Sequence, residues 1–152
     1  MSKINWVYHE NYDIPLKLNH RFTSSKFSDL FYEIKKTVLY KNAIITQPKK
    51  ANIIDLSISH SVDYINKIKN GLLNYKEERK LGLTWSKRLS ERSFLAVNGT
   101  LLASKLAISN GIGCHLGGGT HHSHYDYGSG FCVFNDLAYS SLKLIESKIV
   151  KK

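Results

Sequence analysis

Ile4-Asn5-Trp6-Val7-Tyr8-His9 and Ala43-Ile44-Ile45-Thr46 are short runs rich in β-branched and aromatic residues, the second closed by Gln47-Pro48, and both predict strands. Between them Phe27, Leu30, Phe31, Ile34 and Val38 recur three, four, seven and eleven positions from the first. That spacing predicts a helix with these residues on one face, opposite Lys35 and Lys36. After Ile53-Ile54-Asp55-Leu56, a serine ahead of Tyr64, Ile65 and Ile68 predicts a capped helix ending near Gly71. Asn74 to Lys87 is polar and without period, which predicts an exposed loop.

A second strong helix is predicted from about Leu89 to Ser109, with Leu95, Gly99, Leu102, Ala103 and Leu106 on one face. An interior glycine costs a helix about 1 kcal/mol relative to alanine, so Gly99 implies close approach of a neighbouring element. Asn110-Gly111 and Gly113 stop this helix, and Cys114-His115-Leu116 predicts a buried strand running into Gly117-Gly118-Gly119. In a last helix, Asp136 to Ser147, Leu137, Ala138, Leu142 and Ile145 form the apolar stripe, with Asn135 or Asp136 as cap. Strands alternating with helices predict an α/β fold with a parallel sheet covered on both faces.

Composition narrows the class. No apolar run approaches the roughly 18–20 residues that cross a bilayer, and MSKINWVYHEN lacks the apolar stretch of a secretory signal, so a soluble, cytoplasmic protein is expected. Cys114 and Cys132 stand alone, without a CxxC pair, and indicate neither a disulfide framework nor a thiolate zinc site. With 22 Lys plus Arg against 12 Asp plus Glu the net charge is +10. The lysines are scattered and no nucleic-acid-binding signature is present, so a solvated basic surface is the expectation rather than specific nucleic-acid binding.

The chemical density lies between His115 and Asp136, HLGGGTHHSHYDYGSGFCVFND, which holds four of the seven histidines and five of the ten glycines. A strand end followed by a glycine-rich loop is where α/β sheets bind ligands. In a bent loop His121 and His122 can line one cavity: one imidazole takes a proton from water while the other, cationic, steadies developing negative charge. Equally, one can be a core residue and the other a solvated one. A local metal site from His115, His122, His124 and Asp126 is a further reading, although no zinc-ligand spacing such as HExxH is present. Gly117 to Gly119 fits neither GxGxxG nor a P-loop. Phe131 beside Gly128 and Gly130 can wall a slot for an alkyl chain or anchor a turn, and Cys132 reads as a small buried hydrophobe.

Gly118-Gly119-Thr120-His121-His122 followed by Asp126-Tyr127-Gly128-Ser129-Gly130-Phe131-Cys132-Val133-Phe134-Asn135-Asp136 resembles the histone deacetylase superfamily. Leu16 to Phe22 (LKLNHRF), His60 to Tyr64 (HSVDY), Leu81 to Ser86 and Asn98-Gly99-Thr100 extend the resemblance over nearly the whole chain, closest to the bacterial and class IV-like branch. It implies the N-terminal part of an arginase/deacetylase-like fold, a parallel sheet flanked by helices. It also implies zinc-dependent hydrolysis of acetyl-lysine or related acylated amines. By motif position His122 corresponds to the general base, His121 to a residue for electrostatic help and proton shuttling, and Gly130 and Phe131 to the wall of the acyl-lysine tunnel. Zinc belongs to the complete family domain, whose ligands lie on a following strand in an Asp-x-His arrangement, with a catalytic Tyr later. None is assigned within 1–152, because the resemblance stops at Ile149-Val150-Lys151-Lys152, where that strand would begin. The expectation is therefore a partial deacetylase-like domain over 1–152, lacking the C-terminal metal-binding half. It would be a split enzyme completed by a second chain or a truncated form without activity, or else a non-catalytic acyl-binding or protein-interaction remnant.

Overall fold

A computed structural model describes residues 3–151. Three parallel strands, β1 (Ile4–Val7), β2 (Ala43–Thr46) and β3 (Gly113–His115), form a sheet in the order β2-β1-β3. Ile4 lies opposite Ala43, and Val7 opposite both Thr46 and His115, so all three strands end at one edge. A 3₁₀ turn at Glu10–Tyr12, α1 (Lys26–Lys35) and α2 (Val38–Lys41) connect β1 to β2. From β2 to β3 the chain passes through α3 (Ile53–Leu56), α4 (Val62–Asn70), α5 (Tyr75–Leu81) and α6 (Lys87–Asn110), and α7 (Asp136–Glu146) follows the loop after β3. The α/β expectation, a parallel sheet flanked by helices, holds.

Helix α6 packs on β1, β3 and α7 and is the spine of the molecule. Its Arg92 to Val97 are all buried, so both halves of the core meet on it. On one side lie Leu56, Ile65, Ile68, Leu81, Leu89, Phe134 and Tyr139, on the other Tyr8, Tyr12, Phe27, Phe31 and Leu95. Arg92 lies in that second layer, over the Phe27 ring at 4.6 Å, its Nε donating to the Tyr12 carbonyl oxygen at 2.9 Å. Burial lowers its pKa to about 10.

The close approach expected at Gly99 is real. A Cβ there would lie 2.4 Å from His115 Nε2 and 2.6 Å from the Tyr12 hydroxyl. Gly99→Ala must part those two side chains, and a loss of about 1–3 kcal/mol is expected in chemical denaturation; an unchanged midpoint would contradict the packing.

Three expectations are corrected. The stretch read as a loop holds α5, started by a capping box in which Asn74 Oδ1 accepts from Lys76 and Glu77 N–H and Glu77 returns to the Asn74 N–H. Helix α1 stops at Lys35, and Leu30 and Val38 are exposed while Phe27, Phe31 and Ile34 are buried. In α7 the predicted stripe faces outward: Leu137, Leu142 and Ile145 are 51%, 38% and 44% exposed, and Asp136, Tyr139, Ser140 and Leu144 are buried instead. The periodicity was right but nothing in residues 3–151 covers that side. Among the described residues no helix is long and apolar enough to cross a membrane.

Candidate active site

The loop that leaves β3 is fastened residue by residue. Gly117 and Gly118, read from the sequence as room for a ligand, serve packing. A Cβ on Gly117 would lie 2.5 Å from the Tyr12 ring, and one on Gly118 2.7 Å from His115 Nδ1. Gly119, at φ +89°, has open space beside it and makes the left-handed step that Thr120 follows. His121 and His122 come next, both exposed, their ring centroids 4.3 Å apart and planes tilted by 45°. Beyond them Ser123 is buried, its hydroxyl donating to the Val133 carbonyl oxygen at 2.7 Å, and the Tyr64 hydroxyl donates to the same oxygen at 2.8 Å.

Ser129 and Cys132 exchange both backbone hydrogen bonds, closing a two-residue turn in which Gly130 and Phe131 both have positive φ, 56° and 66°. Left-handed geometry at both central positions is the type I′ pattern, and a phenylalanine there is strained by about 1–2 kcal/mol. Phe131 stays because its N–H donates to the Leu81 carbonyl oxygen at 2.9 Å and its ring packs against Phe22, His20 and Gly82. A Cβ on Gly130 would lie 3.3 Å from His122 Cβ, so the turn and the histidine pair adjoin. Of the residues singled out in the sequence, the structure thus sets His121, His122 and Gly130 side by side, and turns the ring of Phe131, next along the chain, toward Phe22, His20 and Gly82.

The other histidines are turned elsewhere. His115 Nε2 is 2.7 Å from the Tyr12 hydroxyl and Nδ1 is 2.8 Å from Thr100 Oγ1. Thr100 donates to Asp136 Oδ2 at 2.6 Å, so its hydroxyl proton is spent. His115 must therefore donate from Nδ1, and as the neutral imidazole that burial favours it accepts from Tyr12 at Nε2. Burial accordingly pushes its pKa down to about 4, with Arg92 adding to the fall and Asp136 opposing it. His124 stacks on Tyr127 at 4.3 Å. His60, fully buried, donates from Nδ1 to the Tyr125 carbonyl oxygen and accepts the Asn135 N–H at Nε2, and burial lowers its pKa too. Burial raises the pKa of the Cys132 thiol, which fits a core residue rather than a nucleophile.

Among the described residues no three His, Cys, Asp or Glu side chains converge to hold a metal ion. The local site of His115, His122, His124 and Asp126 does not form, because His115 and His124 face away into their own partners. A cavity of about 710 Å³ lined by Lys50, Ala51, Ile53, Lys69, Lys87 and Phe94 includes none of the four residues. Tyr12, Thr100, Asn135 and Asp136, whose part in holding the loop sequence reasoning missed, surround it from three other elements. For Asp136 the signal was an acid one residue beyond the apolar Cys132-Val133-Phe134, at the start of a helix.

The family of the histone deacetylase domain matches residues 20–152, and the four site residues lie within that span. The chain belongs to the histone deacetylase domain family. It is 37% identical over 135 residues to an uncharacterised protein of Picosynechococcus, covering 89% of this chain and 45% of that protein. Histone deacetylase 2 of Arabidopsis thaliana is 28% identical over 171 aligned positions, covering 99% of this chain and 42% of the relative. The acetoin utilization protein AcuC of Staphylococcus aureus is 36% identical over 107 residues, 64% of this chain and 28% of AcuC. Among solved structures the HDA15 HD domain superimposes with a TM-score of 0.78 at 12% identity, over 96% of this chain and 44% of that one, and so shares its fold. The chain spans less than half the length of each of these relatives.

Proposed function

We propose that the chain supplies the proton-transfer part of an amide hydrolase acting on acetyl-lysine or related acylated amines, and that 1–152 is one part of a deacetylase domain. The observation that carries this reading is the exposed His121–His122 pair, 4.3 Å apart and adjoining the strained Gly130-Phe131 turn. His122, against that turn, takes a proton from the attacking water as its oxygen bonds to the acyl carbon, and the pair delivers that proton to the amine nitrogen as the C–N bond breaks. His121 holds positive charge beside the oxygen that becomes negative, and Gly130 and Phe131 wall the alkyl chain of the substrate. The described residues do not assemble a metal site, so zinc enters this proposal only as a component of the assembled domain.

The outward stripe of α7 supports assembly with further polypeptide. Leu137, Leu142 and Ile145 have the period of a core face and are left exposed, and among the described residues β3 has a strand neighbour on one side only. The setting we propose is a cytoplasmic, bacterial one, supported by two free thiols and two bacterial relatives.

The test is complementation. The chain is co-expressed with the C-terminal half of the Picosynechococcus relative and assayed on an acetyl-lysine peptide with zinc. Hydrolysis by the pair, abolished by a chelator and absent from either half alone, is expected. Chelator-sensitive hydrolysis by the isolated chain would contradict this division of labour. A stable pair without hydrolysis would favour a non-catalytic acyl-binding or interaction module.

A further inference from the structure

Residues on both sides of His121–His122 are held by two consecutive residues at the start of α7. Ahead of the pair, the N–H groups of Gly119 and Thr120 donate to Asp136 Oδ2 and Oδ1, each at 2.8 Å. At and after the pair, Asn135 Nδ2 donates to the carbonyl oxygens of His121 and Ser123, each at 3.0 Å. The remaining atoms of Asn135 are committed as well. Its Oδ1 accepts the Ala138 N–H at 2.9 Å and caps α7, and its own N–H donates to buried His60 at 2.9 Å.

We propose that Asn135 and Asp136 are positioning residues that clamp the histidine loop from both ends, with Asp136 anchored to the core by the hydrogen-bond chain Tyr12–His115–Thr100. The proposal rests on the functional reading above only for its catalytic consequence. The chain has one polarity: Tyr12 donates to His115, His115 to Thr100, and Thr100 to Asp136. Every donor therefore points toward the carboxylate, which is 0% exposed and accepts three hydrogen bonds. Charge-assisted bonds to backbone N–H groups are the strong kind, and two of them on consecutive residues fix the peptide planes just ahead of His121. The amide of Asn135 fixes the planes after it. Both imidazoles can then stay exposed and reactive on a backbone that does not move, which is the arrangement proton transfer requires.

The decisive variants are Asp136→Asn and Asn135→Ser, read by NMR of the labelled full chain. Asp136→Asn turns an acceptor into a donor facing two N–H groups. Serine at 135 keeps the oxygen that caps α7 and the backbone bond to His60 but has no amide to reach His121 and Ser123. In Asp136→Asn the Gly119 and Thr120 amides should exchange about tenfold faster or more. In Asn135→Ser the ring signals of His121 and His122 should move to the positions of mobile imidazoles while α7 amides keep their protection. A folded variant in which exchange at 119 and 120 and both ring signals match the wild type would overturn the clamp. If Asp136→Asn fails to fold, Asn135→Ser alone decides. In the complemented hydrolase Asn135→Ser should lower kcat about tenfold or more with KM nearly unchanged. Wild-type pairs without hydrolysis would sink the functional reading and leave the clamp to the spectra.

Discussion

In the complemented enzyme, His122→Ala is expected to lower kcat by about 10²–10⁴ while KM changes little. A general base contributes about that much, and His122 is proposed to meet the attacking water rather than the acyl chain. His122 is proposed as the base by motif position, and its Cβ and Cγ lie 3.3 Å from where a Cβ on Gly130 would stand, beside the wall proposed for the substrate. His121 is proposed to help electrostatically and in shuttling the proton rather than as the first base, so His121→Ala should cost less. Side-by-side kinetics of the two variants, each checked for complex formation, decide between them. If His121→Ala carried the larger loss, the two roles would be exchanged.

The second large effect concerns stability against pH. His115 is neutral in the fold, with its pKa pushed to about 4 chiefly by burial, against an ordinary value of 6.5 in the unfolded chain. Between those values the unfolded chain binds a proton that the folded one does not, so folding free energy falls as pH drops from about 6.5 to about 4. Below that the folded form is protonated too and His115 adds no further loss. The effect is roughly 3 kcal/mol from His115 alone, and His60, lowered in the same direction by burial, adds to it. Urea denaturation at a series of pH values from 8 to 4 measures this directly, and His115→Gln should remove much of the slope. Stability independent of pH over that interval would mean that His115 is not held neutral between Tyr12 and Thr100.

The parts legible in the sequence are those with local causes. Strands β1 and β2 follow from short β-branched and aromatic runs between turn residues, and β3, expected at Cys114 to Leu116 and found at Gly113–His115, from the glycines that bracket it. The Ser61 cap and the Gly71 stop bound α4 as expected, Gly71 at φ +71°. Helix α5 was missed because Tyr75 to Leu81 buries a single apolar residue, Leu81, and so carries no stripe. Its real signal is Asn74 with Glu77 three positions on, a cap pattern that acts without hydrophobic periodicity.

What the sequence by itself determined is where the candidate chemistry lies: adjacent His121 and His122 and, nine positions on, Phe131 after Gly130, within one family motif. For the histidine pair proximity along the chain suffices, because adjacent residues cannot be far apart. Only the tertiary structure decided which histidines remain available. His115 and His60 lie in equally suggestive places, yet the first is half-buried and the second fully buried, each with both nitrogens occupied, by Tyr12 and Thr100 in one case and by Asn135 and Tyr125 in the other. It likewise decided which side of α7 is core, since an apolar stripe specifies a face and its burial depends on a partner. Asn135 and Asp136 reach the loop because α7 packs on α6, which carries Thr100, an arrangement set by contacts across the fold and invisible to local pattern.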